Sequence, residues 1–149
     1  MRLVIQRVSS ASVTVDQQVV GAIGYGLLIL VGVEQEDQMR DVSYLAEKTL
    51  GLRVFEDELG KMNLSAIDRK ADLLAVSQFT LLGDARKGRR PSFIDAAQPD
   101  EANRLYEAYC QLLENRAGEV QRGVFQADMQ VQLINDGPVT ILLDSRKRF

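Results

Sequence analysis

The sequence predicts a single α+β domain over residues 1–149, built on a mostly antiparallel sheet or partly closed barrel with two helices. Strand-like apolar segments are short and cluster towards both ends of the chain, which favours α+β over an alternating α/β arrangement. Helical spacing of apolar residues is confined to the regions between them. No repeat, linker or low-complexity segment divides the chain, and 149 residues is an ordinary length for one domain.

The N-terminal part of the chain is predicted to form a hairpin and a central strand. Apolar residues over 3–15 indicate one or two strands, and a turn at 16–18 before the apolar pair at 19–20 indicates the hairpin. The unbroken apolar run at 27–31 indicates a strand that is buried on both faces. The glycines before it lack the Lys-Ser and helix start of a phosphate-binding loop, so we interpret them as turn residues: Gly21, Gly24 and Gly26.

Two helices are predicted from apolar spacing and from signals at their ends. The first covers 37–50, with acidic residues at its start and Gly51 at its end. The second begins at Pro99 and stops at Gly118. The remaining apolar segments are predicted as strand material: 52–55, 62–64, 71–82, 124–133 and 139–143.

Composition excludes several classes of active site. There is no histidine, which removes Ser-His-Asp triads, Cys-His dyads and imidazole metal ligands. The one cysteine, Cys110, cannot form an internal disulfide, and its helical position indicates a small buried hydrophobe. The acidic segment 56–61 lacks the ligand spacing of an EF-hand loop. We expect no metal and no cofactor, so catalysis must use carboxylates, hydroxyls, lysine, main-chain amides or the substrate itself.

Charge and hydropathy indicate a cytoplasmic protein with local basic clusters. No apolar run approaches the ~18 residues of a membrane span, and the alternating N-terminus is unlike a signal peptide. The net charge of −3 argues against indiscriminate binding to nucleic acid. The basic loop, either a site that binds phosphates or a solvated surface loop, consists of Arg86, Lys87, Arg89 and Arg90. The basic tail, either a second such site or a frayed end, consists of Arg146, Lys147 and Arg148.

Residues 73–93 form the strongest candidate for a functional site. An apolar run leads into the polar tetrad Ser77, Gln78, Phe79 and Thr80, and the basic loop follows. In a continuous strand, Ser77 and Phe79 would face one side and Gln78 and Thr80 the other. Thr80 is either a nucleophile, which needs a base, or a hydrogen-bonding or packing residue. Asp84 and Asp95 are possible bases, but the sequence fixes no partner for either.

Gly137 and Pro138 form a second point of interest. The default for a bond before proline is trans, which predicts a turn that closes a hairpin. A cis bond would instead hold two carbonyl oxygens rigidly as acceptors, without any side chain. Both interpretations are open from these residues alone.

Five segments together form a specific pattern: QRVSSASVTV at 6–15, GKMNLS at 60–65, SQFTL at 77–81, KGRRPSF at 87–93 and ADMQVQLINDGPVT at 127–140. In this order they resemble the D-aminoacyl-tRNA deacylase family, of the type first described as D-tyrosyl-tRNA deacylase. The resemblance covers essentially the whole chain, and several ungapped motifs are more specific than any one of them. The clearest departure is the basic tail.

The resemblance implies a homodimeric hydrolase that cleaves the ester between a D-amino acid and the terminal adenosine of tRNA. It implies that the tetrad lines the pocket, and that Gly137–Pro138 is cis and enters the active site of the opposite subunit. It further implies that Arg7 anchors this turn, and that Phe125 and Met129 surround the terminal adenine.

A mechanism without histidine follows from that resemblance. Main-chain carbonyls close to the substrate Cα would exclude an L side chain but not glycine. Water attack would be assisted by the neighbouring ribose hydroxyl, with N–H groups near Phe79 and Thr80 stabilising the oxyanion. Two alternatives of other classes are a non-catalytic, dimeric RNA-binding module that uses the basic loop, and an assembly protein that dimerises through its sheet edges.

Overall fold

A long N-terminal strand, paired along both of its edges, organises the computed structural model, which describes residues Met1–Phe149. This strand, β1 (Arg2–Val15), pairs on one edge with β3 (Gly26–Gly32) and β2 (Gln18–Ile23), and on the other with β8 (Gln130–Asp144). All three pairings are antiparallel. The predicted hairpin and central strand are therefore confirmed, and β3 is buried along almost its whole length.

Two further strands extend the sheet and curl it towards a barrel. Strand β6 (Asp72–Ser77) runs parallel to β3, and β7 (Val120–Arg122) runs parallel to β6. Strand β2 then approaches β7, because Gly21 has no side chain: a Cβ there would lie 2.8 Å from the carbonyl oxygen of Arg122. The mostly antiparallel sheet thus forms a nearly closed barrel, as predicted. Gly21 serves a close approach of two main chains inside a strand rather than a turn.

Both predicted helices are present, and a third was missed. They are α1 (Met39–Gly51), the short α2 (Ala66–Arg69) and α3 (Pro99–Ala117). Helix α2 begins with a capping box in which the side chain of Ser65 accepts from the N–H of Asp68 and Asp68 accepts in return. Four residues are too few to show an apolar period. A separate hairpin of β4 (Phe55–Glu56) and β5 (Met62–Leu64) precedes it.

The core lies on both faces of the sheet. Helices α1 and α3 cover one face over a cluster of 22 buried residues, and a cluster of seven lies inside the barrel. The hydroxyls of Thr49 and Tyr109 are 2.7 Å apart and join the two helices. None of the helices combines the length and apolar character needed to cross a membrane.

Several predicted elements differ from the structure in their local geometry. The strand predicted over 71–82 ends at Ser77 and is followed by a 3-10 turn at Phe79–Leu82. The default hairpin turn at Gly137 and Pro138 is not formed, because β8 pairs with β1 on both sides of these residues. Residues 124–125, predicted as strand, lie between β7 and β8.

Candidate active site

A cavity of about 570 Å³ opens where β3 and β6 end, beside the start of α3 and the segment before β8. Its 16 lining residues are mostly apolar. They are Val31, Val33, Val76, Ser77, Gln78, Phe79, Ala96, Ala97, Pro99, Ala102, Phe125, Gln126, Ala127, Asp128, Met129 and Val131. Asp128 is the single acidic or basic side chain among them, so this wall offers shape and main-chain atoms more than charge.

Three residues of the predicted tetrad line the cavity where β6 becomes the 3-10 turn. The N–H of Gln78 donates to the carbonyl of Val31 at 2.7 Å, which is the last ladder bond of β6. The turn then packs on Gly32, where a Cβ would lie 3.1 Å from the carbonyl oxygen of Gln78 and 2.6 Å from Leu82 Cδ2. A glycine in β3 therefore lets the tetrad approach the sheet closely. The predicted alternation of the tetrad on two strand faces is wrong.

Thr80 lies on the exposed side of this turn rather than among the lining residues. Its hydroxyl accepts a short hydrogen bond from the side-chain amide of Gln78. No histidine or carboxylate is bonded to it, so no base is in place to make Thr80 a nucleophile. The geometry favours the hydrogen-bonding role over the nucleophilic one.

The main-chain N–H groups at the start of the 3-10 turn are free. The first N–H groups of a helix have no partner inside it, and no side chain caps this one. Neither Phe79 nor Thr80 donates its N–H to a side chain or to a main-chain carbonyl of a turn or loop. These donors belong to Phe79, which lines the cavity, and to the next residue in the chain, and main-chain donors of this kind can stabilise a developing negative charge.

The basic loop follows this turn and is held by aromatic and ionic contacts. Phe93 packs edge-on against Phe79, with ring centroids 5.1 Å apart. Arg86 donates to both oxygens of Asp84, at 2.9 and 2.8 Å, and its hydrogen bonds hold the pKa of that carboxyl well below its usual range. Asp84 is therefore a poor base, and Arg86 is already engaged. The remaining cations of the basic loop are exposed and make no ion pair: Lys87, Arg89 and Arg90.

Phe125 and Met129 line the opposite side of the cavity. The ring of Phe125 lies 6.2 Å from that of Tyr106, whose hydroxyl donates to the carbonyl of Ala75 at 2.9 Å. Gly123 leaves room for the thioether, because a Cβ there would lie 2.7 Å from Met129 Sδ. Both side chains are thus placed by β6, α3 and a glycine. Their contact with an adenine stays a prediction.

The Gly137–Pro138 turn lies outside this cavity. Asn135 pairs with Val8 and Thr140 with Gln6, so four residues of β8 loop out opposite the single residue Arg7. The looped-out Gly137 and Pro138 are exposed, and the peptide bond between them is cis. The structure therefore does not bring them together with the tetrad in one chain.

Arg7 holds the base of this turn. Its side chain is almost fully buried and donates to the carbonyl of Asp136 at 3.2 Å and to that of Val54 at 2.7 Å. A Cβ on Gly137 would lie 2.9 Å from the guanidinium. The contact expected between Arg7 and the turn is present, whereas the part of the turn in substrate recognition stays a prediction.

Two features of the site were missed by sequence reasoning. The wall formed by Ala96 and Ala97 depends on an isolated bridge between Glu34 and Ala96, which has no local signal. Arg148 pairs with both carboxylate oxygens of Glu34 and Arg146 lies 3.6 Å from it, so these two cations of the basic tail are engaged within the chain. No group of three or more acidic or cysteine side chains is arranged to hold a metal ion.

The chain is similar in sequence to known proteins over nearly its whole length. The sequence profile described as D-Tyr-tRNA(Tyr) deacylase matches residues 4–144. The D-aminoacyl-tRNA deacylases of Anaeromyxobacter dehalogenans (strain 2CP-C) and Kosmotoga olearia are 59% and 56% identical over 149 residues, covering all of both chains.

Solved structures agree on the fold. The c-Myc DNA Unwinding Element Binding Protein superposes with a TM-score of 0.91 at 41% identity, covering 97% of this chain and 98% of the other. A probable eukaryotic D-amino acid tRNA deacylase gives 0.83 at 17% identity, over 95% and 97%, which shows a shared fold alone. From the full-length sequence similarity, the chain belongs to the D-Tyr-tRNA(Tyr) deacylase family of enzymes.

Proposed function

We propose that the protein hydrolyses the ester bond of D-aminoacyl-tRNA and releases the free D-amino acid and tRNA. The observation that carries this proposal is the pair of unpartnered N–H groups at Phe79 and Thr80 beside a preformed cavity. Its volume, about 570 Å³, is in the range of small-molecule sites and suits an aminoacyl group with part of the terminal nucleoside. Membership of the deacylase family supports the same substrate class.

The chemical step is proposed to use the substrate's own hydroxyl. Water attacks the carbonyl carbon, assisted by the neighbouring ribose hydroxyl; the bond from that carbon to the ester oxygen then breaks, and the leaving ribose oxygen takes up a proton. The N–H groups of Phe79 and Thr80 would receive the oxyanion, a contribution of ~2.7–4 kcal/mol per donor in other acyl transfers. This route suits a chain without histidine and a cavity wall with one titratable side chain, Asp128.

The nucleotide is proposed to enter along the apolar side of the cavity. Phe125 and Met129 would pack around the terminal adenine, since aromatic and thioether groups bind the faces of bases. The phosphates behind it would meet the basic loop, where Arg89 and Arg90 are exposed and unpaired. Arg86 would contribute less, because Asp84 already neutralises it.

Chiral selection is proposed to come from a second copy of the chain. The Gly137–Pro138 turn is exposed and does not line its own cavity, which leaves it free to enter that of a partner in a homodimer. Its carbonyls, close to the substrate Cα, would leave no room for an L side chain. Glycine has no side chain to exclude, so glycyl-tRNA would also be hydrolysed.

Parallel incubation with D- and L-tyrosyl-tRNA tests the activity. The proposal expects loss of the D ester and persistence of the L ester; hydrolysis of both, or of neither, contradicts it. Binding of tRNA without release of amino acid would instead indicate the non-catalytic RNA-binding module. Glycyl-tRNA in the same assay tests the steric account, which fails if glycyl-tRNA is inert while D-tyrosyl-tRNA is cleaved.

Two substitutions separate the proposed mechanism from a covalent one. Thr80→Ala should keep a substantial part of the activity, because the N–H of residue 80 remains; near-complete loss would indicate a nucleophile. Replacing the ribose 2′-hydroxyl by hydrogen on correctly attached substrate should slow turnover strongly. Undiminished turnover of that substrate would contradict assistance by the hydroxyl.

A further inference from the structure

The basic tail is built into the fold beside the cavity. Arg148 donates to both oxygens of Glu34, at 2.8 and 2.5 Å, and its Nε donates to Asp144 at 3.1 Å. Arg146 adds a contact of 3.6 Å to Glu34. The carboxylates of Glu34 and Asp144 are almost fully buried, at 6% and 0% side-chain exposure, so each depends on these partners.

One branch of this network reaches the wall formed by Ala96 and Ala97. Glu34 follows Val33, which lines the cavity, and forms an isolated antiparallel bridge with Ala96. The N–H of Ala97 donates to the carbonyl of Val33 at 3.0 Å, and the N–H of Gln35 to that of Asp95 at 2.9 Å. Holding Glu34 in place therefore also holds residues 33–35, whose main chain bonds to residues 95–97 of this wall.

The other branch reaches the 3-10 turn that includes the last two residues of the tetrad. Asp144 accepts from Arg2 Nε at 3.1 Å, and Arg2 Nη1 donates to the carbonyl of Leu81 at 3.2 Å. Leu81 belongs to the 3-10 turn that begins with the free N–H groups of Phe79 and Thr80. A movement of Arg2 would thus be transmitted to the main chain of the turn.

We propose that Arg148 is a positioning residue that holds the two walls of the cavity in register, through Glu34 on one side and through Asp144 and Arg2 on the other. No atom of Arg148 needs to touch the substrate for this. The part of the proposal that concerns catalysis rests on the proposed deacylase function, whereas the coupling of the two walls is a property of the chain itself.

The test compares Arg148→Ala with Lys147→Ala as a matched control. Both variants remove one positive charge from the basic tail, but the ammonium group of Lys147 contacts only the ring of Tyr44, at 5.6 Å. With D-tyrosyl-tRNA, Arg148→Ala should lower kcat by about tenfold or more, because small misplacements of reacting groups are costly, and should leave KM within about twofold. Lys147→Ala should match the unsubstituted protein. Arg148→Lys, which keeps the charge but loses the planar fork, should fall between them.

Hydrogen exchange measured on the same variants gives a readout that does not need substrate. Arg148→Ala should increase exchange locally, in 78–83 and in 95–97, while the strands β1 and β3 keep their protection. Arg2→Ala should increase exchange in 78–83 alone. If Arg148→Ala does not fold, the other two variants replace it in the test. Arg148→Lys should then show an intermediate kcat, and Arg2→Ala should show increased exchange in 78–83 alone.

The proposal is overturned if Arg148→Ala matches Lys147→Ala in kcat, or if its exchange rises uniformly over the chain, which would show a general loss of stability. Failure of the proposed function is distinguishable: the unsubstituted protein would then leave D-tyrosyl-tRNA intact. The exchange pattern in 78–83 and 95–97 would still decide whether Arg148 couples the two walls.

Discussion

Adding one methyl group at Gly32 probes how the sheet places the tetrad. In Gly32→Ala the new Cβ would lie 2.6 Å from Leu82 Cδ2, 3.0 Å from Leu81 Cβ and 3.1 Å from the carbonyl oxygen of Gln78. Ordinary contact begins at 3.4 Å, so the Leu82 side chain must move by about 0.8 Å and the main chain at Gln78 by about 0.3 Å. The free N–H groups of Phe79 and Thr80 follow directly in the chain and would move with it.

Gly32→Ala is expected to lower both the stability of the protein and its kcat. Overpacking of a well-filled site costs ~1–3 kcal/mol of unfolding free energy, which lowers Tm by roughly 5 °C in a protein of this size. Since a misplacement of 1 Å can cost about 100-fold in rate, a shift of a few tenths of an ångström predicts a loss of about 3- to 10-fold in kcat for D-tyrosyl-tRNA. Thermal unfolding and single-turnover deacylation measure the two losses separately.

Gly51→Ala is the control for this substitution. Gly51 ends α1, and a Cβ there would meet nothing within 4 Å. Alanine in a helix should leave stability unchanged or raise it by ~0.5–1 kcal/mol, with no effect on kcat. The reasoning is refuted if Gly32→Ala deacylates as fast as Gly51→Ala, because the tetrad would then tolerate displacement from β3.

Three further predictions concern charge, burial and helix packing. Burial raises the pKa of Glu34, but the hydrogen bonds and charge of Arg148 outweigh it and hold the pKa below its usual 4.5. The ionised pair therefore stabilises the folded state above pH 4.5, so the loss of Tm in Arg148→Ala should be largest at pH 7 and should shrink as the pH falls below 4.5 and Glu34 is protonated. Burial raises the pKa of Cys110 to about 11, so the folded protein should resist thiol reagents at about pH 8 and react after denaturation. Tyr109→Phe removes one buried hydrogen bond to Thr49, whose hydroxyl still donates to Leu45, and should cost ~0.5–1.5 kcal/mol in denaturant unfolding without changing activity.

The fold was predictable where local pattern and tertiary structure agree. Apolar residues alternate over β1 because one of its faces is buried. They run unbroken over β3 because both of its faces are buried, so the sequence predicts both strands. The end of β6 was not, because the apolar residues of Phe79–Leu82 continue the strand pattern and only the approach of Gly32 turns the chain away. Helix α2 was missed because its signal is a cap at Ser65 rather than a period.

The candidate site was likewise predictable only where a local motif marks it. The tetrad was found as a motif, and three of its residues line the cavity. The wall at Ala96 and the contacts of Arg148 arise from pairings with Glu34, more than 60 positions away, and nothing in the local sequence encodes them. The residues at Gly137 and Pro138 leave a hairpin turn and a rigid cis loop both open, because pairing of both flanks with β1 sets the environment of this loop and local composition does not reveal it.

Because the free donors at the start of the 3-10 turn belong to the main chain, replacing side chains cannot delete them. Alanine at Thr80 keeps its N–H and should cost little, whereas alanine at Gly32 presses on the carbonyl of Gln78 and should cost more. The stabilisation of an oxyanion at this turn would therefore depend on where the main chain lies, not on which side chain stands at position 80. The positions that tolerate least change would be those that carry no functional group at all.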